Sequence, residues 1–247
     1  MQRITKALAA IMLMTATMFV AGCTEKPEQP AAEDIHLTEG AWIDLDLPSG
    51  LLWASCNVGA TAPEEFGDYF AWGETRPKSV YADSNYAYYF LDCYQIVKYC
   101  FDSTCGYNGY TDTLTILEPC DDAATANLGD GARTPTKENY QELIDNTISK
   151  WTTYNGVEGR IFIGLNGNNI FIPAAGMRIP NPEEIPQGMI FGNYWTSSLR
   201  AELDIPGDWF YPWLAVHLTF SSDVQRIGMS SRAAGFPVRA VCSASKE

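Results

Sequence analysis

Two histidines, His36 and His217, are the only imidazoles in 247 residues, which sets a narrow limit on acid-base and nucleophilic catalysis. A Ser-His-Asp arrangement would have to use His217, because His36 sits in a polar stretch, and no G-x-S-x-G elbow is present. His217 itself falls on the polar side of an alternating run, where a surface imidazole is the simpler expectation. Carboxylates are plentiful, as in Glu64-Glu65, Asp121-Asp122 and Glu183-Glu184. A glycosidase needs two of them across a cleft, and Asp204 with Asp208 or Asp223 is the set it would draw on. Asp121, Asp122 and Asp130 could offer oxygens to calcium, but "DDAATANLGDG" lacks EF-hand spacing, and caps and turns are the expected roles. No cofactor is expected, with calcium the one ion the sequence leaves room for.

Cysteine is better supplied. In "MTATMFVAGCTEKPEQP", residues 14–30, an apolar run meets Cys23 and the chain turns polar. Residues 1–22 begin with Arg3 and Lys6, stay apolar from Ala7 to Val20, and are too short for an ordinary transmembrane helix, so they read as a signal peptide. Val20-Ala21-Gly22-Cys23 resembles the lipobox of bacterial lipoproteins, which implies acylation of the Cys23 thiol. Thr24 stands where an inner-membrane retention signal would place aspartate, so the outer membrane is favoured, with the cell surface ahead of the periplasmic face. The alternative is an ordinary secretory signal with Cys23 left for a disulfide. Six further cysteines, Cys56, Cys93, Cys100, Cys105, Cys120 and Cys242, are an even set in an exported chain and predict disulfides. The economical arrangement is a Cys56–Cys242 clasp joining the ends and two bridges within 93–120. The loop cysteines contain no C-x-x-C pair, which argues against zinc.

The elements that must position these residues are short. The chain has 30 acidic and 16 basic residues, a net charge of −14, and about −16 without residues 1–22. That balance excludes nucleic acid as a partner and leaves membrane contact to the lipid anchor. Thr24 to Glu39, rich in Pro, Glu, Gln and Ala, reads as a tether, which divides the chain into a signal peptide (1–22), a lipidated cysteine with tether (23–40) and one domain (41–247). A composition 46% hydrophobic with 20 Gly, 14 Pro, 7 Trp and 13 Tyr suits short strands and ordered loops. In "TPTKENYQELIDNTISKW", Tyr140, Leu143, Ile144 and Ile148 keep helical spacing behind an N-cap at Thr136, predicting a helix over Lys137 to Ser149. "RIFIGL", "NGNN" and "IFIPA" predict a hairpin turning at Asn166-Gly167. "WLAVHLTF" puts Leu214, Val216, Leu218 and Phe220 on one face and Ala215, His217 and Thr219 on the other. "FPVRAVC" is a closing strand.

Six phrases occur in order: "DLDLPSGLLWASCNVGA", "GDYFAWGET", "DDAATANLGDGARTPTKENYQELI", "NGNNIFIPAAGMR", "NYWTSS" and "GFPVRAVC". Together they resemble the Fibrobacter succinogenes major paralogous domain of surface lipoproteins, over roughly Trp42 to Cys242. "RTPTKENY" is more distantly similar to the helix start of formylglycine-generating enzymes, which have the C-type lectin-like fold. The resemblance implies an α+β, C-type lectin-like domain: small twisted antiparallel sheets, one or two flanking helices, long ordered loops, and N- and C-terminal strands side by side. That adjacency is what a Cys56–Cys242 clasp requires. The departures are informative. Asn139 and Tyr140 replace the usual glutamate and tryptophan, which weakens the reciprocal capping box and leaves Thr136. Formylglycine-generating activity uses a late cysteine pair, and only Cys242 lies beyond Cys120. The calcium-dependent sugar motifs of animal lectins are missing, so fold analogy supplies no sugar site. No enzymatic activity is expected.

In retroelement-varied relatives, ligand contacts come from the C-terminal strands and loops, which implies the stretch Tyr194 to Phe236 here. It holds Trp209, Phe210, Tyr211 and Trp213, then His217, Arg226, Ser230 and Arg232, the residue types favoured at recognition surfaces and for stacking on sugars. These eight are the expected ligand-binding residues, with at least one of Trp209, Tyr211 and Trp213 buried. Five others are expected to be structural: Trp72 in the core, Glu74 fixing a loop, Arg133 holding a carboxylate near the helix start, Thr136 as cap, and Trp195. The expected function is a non-catalytic, lipid-anchored surface module for binding or adhesion to a glycan or a surface protein. A secreted glycan-active hydrolase is the alternative, as is a structural subunit whose unpaired edge strand takes a donor strand.

Overall fold

Alternating apolar and polar residues divide the chain into twelve short strands and two α-helices among the described residues, which are 35–90, 95–129, 131–181, 188–199 and 212–244 of this computed structural model. Four strands, β1 (Trp42–Asp44), β2 (Leu51–Asn57), β12 (Arg239–Ser243) and β5 (Ala132–Arg133), form a sheet in the order β1-β2-β12-β5. The last strand therefore lies beside β2, which carries Cys56, and not beside the N-terminal strand β1. Another sheet joins β6 (Ile148–Tyr154), β7 (Val157–Ile163) and β8 (Asn169–Pro173) in sequence order. A third has the order β11-β10-β9, from β9 (Gly192–Leu199), β10 (Leu214–Phe220) and β11 (Gln225–Ser231). β3 (Tyr89–Phe90) and β4 (Gln95–Ile96) pair by themselves. All of these ladders are antiparallel, so the architecture is α+β and mostly β, small sheets with few helices. Asp34–Glu247 forms one compact unit, and no helix among the described residues is long and apolar enough to cross a membrane.

The two helices are short and well capped. Asp122 starts α1 (Ala123–Leu128), accepting from the Ala124 amide at 2.8 Å. Thr136 starts α2 (Lys137–Asn146) as expected. Asn139 does not weaken the capping box but completes it, its Oδ1 accepting from the Thr136 amide at 3.1 Å while Thr136 Oγ1 accepts from Asn139 N at 3.3 Å. The helix stops at Asn146 rather than Ser149, because β-branched Thr147 is extended (φ −126°, ψ 156°) and Ile148 pairs with Ile163 in β6. Ile148 is consequently 70% exposed instead of buried with Tyr140 and Leu143. The hairpin between β7 and β8 turns where expected, with Gly167 at φ +85°.

Two aromatic clusters fill the interior. Trp53 packs on Tyr140 at 5.3 Å between ring centroids, and Phe162, Ile170 and Ile172 of the β6-β7-β8 sheet close over them. In the other cluster, Trp72 and Trp195 are both buried, and each indole N–H donates to a carbonyl near the other: Trp72 to Thr196 O and Trp195 to Phe70 O, both at 2.8 Å. Both rings lie in the core. Glu74 pairs with Lys78 Nζ at 2.8 Å and accepts from the Ala87 amide at 2.8 Å, pinning the loop. Arg133 departs from expectation: its Nη1 donates to Asn139 Oδ1 at 2.9 Å and Thr134 O at 3.3 Å, not to a carboxylate. The nearby carboxylate, Asp122, is already taken by Thr134, whose amide (2.8 Å) and hydroxyl (2.6 Å) both donate to it.

The expected Cys56–Cys242 clasp is not formed, and no bridge joins the described loop cysteines. Cys56, Cys100, Cys105, Cys120 and Cys242 are free thiols. Strand register explains the missing clasp: Cys242 stands opposite Leu52, four residues along β2 from Cys56. At about 3.3 Å per residue that offset is about 13 Å, well beyond the Cα separation a disulfide tolerates. In the loop region the thiols face oxygens instead, Cys100 Sγ donating to Asp102 O at 3.2 Å and Cys120 Sγ to Asp121 Oδ1 at 3.5 Å. Cys105 Sγ lies 4.0 Å from Asp102 Oδ2. Cys93 lies outside the described residues, as do the signal peptide, Cys23, Asp130, Glu183-Glu184, Asp204, Asp208, Trp209, Phe210 and Tyr211.

Candidate functional site

Period-two alternation gives the β11-β10-β9 sheet two distinct faces. Tyr194, Leu218 and Phe220 point into the core, where Tyr194 and Phe220 stack at 5.9 Å. Gly192 stands opposite Phe220, and a Cβ there would come within 2.2 Å of the ring, so only glycine leaves room for it. On the other face the cross-strand partners form rows. One row is Asn193, Thr219 and Arg226; the next is Trp195, His217 and Gly228; Ala215 and Ser230 follow.

Asn193, His217, Thr219, Arg226, Gly228 and Ser230 of these rows floor a groove of about 620 Å³ whose sides include Met177, Met189, Ile190, Phe191 and Val224. Met189, Ile190 and Val224 are exposed large apolar residues, so the groove offers unburied hydrocarbon around a polar floor. Asn193 is only 6% exposed. Its Nδ2 approaches Met177 Sδ at 3.8 Å, and its Oδ1 is buried without a hydrogen-bond partner among the described residues. At the other end of its row Arg226 is exposed and makes no hydrogen bond or ion pair with a described residue. No described lining residue is Asp or Glu.

His217 is the floor residue furthest from its expected state. It is 5% exposed rather than on the surface, because Phe236 packs edge-on against it at 5.0 Å and Trp195 at 6.0 Å. Burial pushes its pKa below the ordinary histidine value, against the Leu218 and Met229 carbonyls, which favour the charged ring. Its Nδ1 is 3.1 Å from Leu218 O. Gly228 lies opposite the imidazole, where a Cβ would stand 3.1 Å from Cε1.

Three of the expected ligand-binding residues, His217, Arg226 and Ser230, are thus brought together in the groove lining. Trp213 is 36% exposed at the start of β10. Arg232 is not a surface residue at all. It is fully buried, donating to Tyr99 O at 2.9 Å and to Pro212 O, with its guanidinium over Trp72 at 5.2 Å. Sequence reasoning missed Asn193 and Thr219, although an asparagine inside the otherwise apolar "GNYW" was a usable signal.

The other clusters are less suited to a ligand. Glu118, Cys120 and Asp121 place one ligand atom each within 4.8 Å of one another, but Lys98 Nζ already sits 2.5 Å from both Glu118 Oε2 and Asp121 Oδ2. Asp121 and Asp122, which could have offered oxygens to one calcium ion, face different partners, Lys98 and Thr134. A second cavity, about 370 Å³, adjoins the groove behind Met189–Phe191 and is walled by Phe66, Val157, Glu158 and Ala174. The chain matches no protein-family model, no curated protein and no solved structure.

Proposed function

We propose that this protein is a non-catalytic binding or adhesion module that takes a glycan or a protein ligand in the β11-β10-β9 groove. The observation that carries the reading is the pairing of exposed apolar walls with a polar row whose Asn193 oxygen is buried and unpaired. The described floor residues include no Asp or Glu, which supports binding over glycan hydrolysis by those residues, since hydrolysis needs two carboxylates at the bound sugar; Asp204 and Asp208 lie outside the described residues. The pairing of β2 with β12 supports the finer C-type lectin-like assignment and the relationship to the Fibrobacter succinogenes major paralogous domain. In this reading Cys23 carries the lipid and the module stands on the outer membrane, facing out of the cell.

A glycan array probed with the purified protein and with a Met189→Ala/Arg226→Ala variant tests it. Binding that the variant loses places the ligand in the groove. Binding that survives in this variant and disappears in Trp209→Ala/Trp213→Ala moves the site to the aromatic segment. Silence from a folded protein shifts the search to protein partners. A structural subunit is the second reading, because β11 ends its sheet and pairs on one side only among the described residues.

A further inference from the structure

We propose that the groove is built for an acidic N-acylated sugar, a ring carrying an acylamino group on one side and a carboxylate on the other; this rests on the groove being the binding site. Asn193, Thr219 and Arg226 stand directly opposite one another on three adjacent strands. With strands about 4.8 Å apart, the Cα atoms of Asn193 and Arg226 are about 10 Å apart. Each end of this row makes a different demand.

At the deep end, the Met177 thioether can accept a weak hydrogen bond but has none to give, so the Asn193 amide nitrogen faces the sulfur at 3.8 Å and Oδ1 faces away. That oxygen is buried and unpaired, and it calls for a donor. The donor must come with hydrocarbon attached, because Met177 and Phe191 line the same groove. An acylamino group meets both demands once a turn of the Asn193 amide brings Oδ1 to the groove: its N–H donates to Oδ1 and its methyl lies on the apolar wall. A bare sugar hydroxyl would meet only the first.

At the shallow end, Arg226 offers an unengaged fork in a lining without described carboxylates, the geometry that a carboxylate accepts bidentately. The chain's net charge of −14 opposes anions at long range. At physiological salt, charges beyond about 8 Å are screened, so Arg226 dominates locally. Between the ends, Thr219 provides a hydroxyl, and Gly228 leaves the floor beside His217 without a side chain. A peptide C-terminus also carries an amide N–H and a carboxylate, but both hang from one Cα and are too close together to engage the two ends of this row. A six-membered ring with the groups on opposite sides spans it.

The test is an NMR titration of the ¹⁵N-labelled protein with the α-methyl glycoside of N-acetylneuraminic acid. Its methyl ester, the methyl glycoside of glucuronic acid, and N-acetylalanine serve as comparison probes. The acid should shift the Asn193 side-chain amide and the Gly228 amide, with the ester and the glucuronide binding about tenfold more weakly. Arg226→Ala, an exposed position, should erase the preference for acid over ester. Equal binding of acid and ester, equal binding of the glucuronide, a match by N-acetylalanine, or no shift at millimolar acid would each overturn the ligand class. Groove shifts without these preferences overturn that class alone. Glycan-induced shifts confined to residues outside β9–β11 overturn the groove reading with it.

Discussion

Burial of His217 has a consequence for stability that runs in one direction. Above about pH 6.5 the imidazole is neutral in both the unfolded and the folded chain, and it contributes no pH dependence. As pH falls below that value the unfolded chain takes up a proton first, because the folded-state pKa is depressed by burial. Stability is therefore full above pH of about 6.5 and declines as pH drops toward the folded-state pKa. The urea midpoint should fall between pH 7 and pH 5 in the parent protein, and His217→Gln should flatten that decline. An unchanged slope in the variant would mean that another group carries it. The alternation of "WLAVHLTF" showed which face His217 occupies but not that the face is covered. The cover comes from Phe236 and Trp195, and no local pattern reports a contact between residues that far apart in sequence. Arg232 was misjudged for the same reason, its acceptors at Tyr99 and Pro212 lying on other segments.

Element existence was more legible than element ends. The β7–β8 hairpin was announced by Asn166-Gly167, and the start of α2 by Thr136, since both signals are local backbone chemistry. The end of α2 was not, because Ile148 satisfies helical spacing yet gains a cross-strand partner in Ile163. Pairing register was equally hidden, and with it the separation of Cys56 from Cys242. The strand pair that shapes the groove makes its own prediction. Gly192 admits the Phe220 ring beneath the floor, and an added methyl would stand 2.2 Å from it. Gly192→Ala must therefore displace a buried aromatic ring, at a cost of about 1–3 kcal/mol from overpacking. It should also weaken ligand binding, because Asn193 is the next residue and moves with the strand. Denaturant titration and a binding assay on the same variant check both parts; a stability loss with intact binding would detach Asn193 from the site.

Across the whole molecule, cohesion comes from buried polar fasteners where the sequence suggested disulfides. The five described thiols are free, so a reductant should leave the melting temperature of the purified protein unchanged, and a fall of several degrees would reveal a covalent link. Arg239 performs the role assigned to the clasp. From β12 its guanidinium reaches Asn57 Oδ1 at 2.9 Å, Ala54 O at 3.1 Å and Ser55 O on β2, and Phe171 O at 3.1 Å on β8, so one side chain joins two sheets. Replacing it with methionine keeps much of the volume and strands these acceptors in the interior, where even a few lost partners cost about 3 kcal/mol. For a domain of this size that corresponds to a drop of about 6–12 °C in melting temperature. Arg226 provides the contrast. It is exposed and unpaired with described residues, so Arg226→Ala should leave the melting temperature within about 2 °C while weakening binding of the acid about tenfold, as surface substitutions rarely exceed about 0.5 kcal/mol. Two arginines of one sequence would thereby separate, one governing whether the sheets stay joined and the other what the finished surface holds. Should Arg239→Met melt like the parent, the sheets must be held by apolar packing and by the other polar links between them, such as Asn166 and Asn168 to Asp44 O.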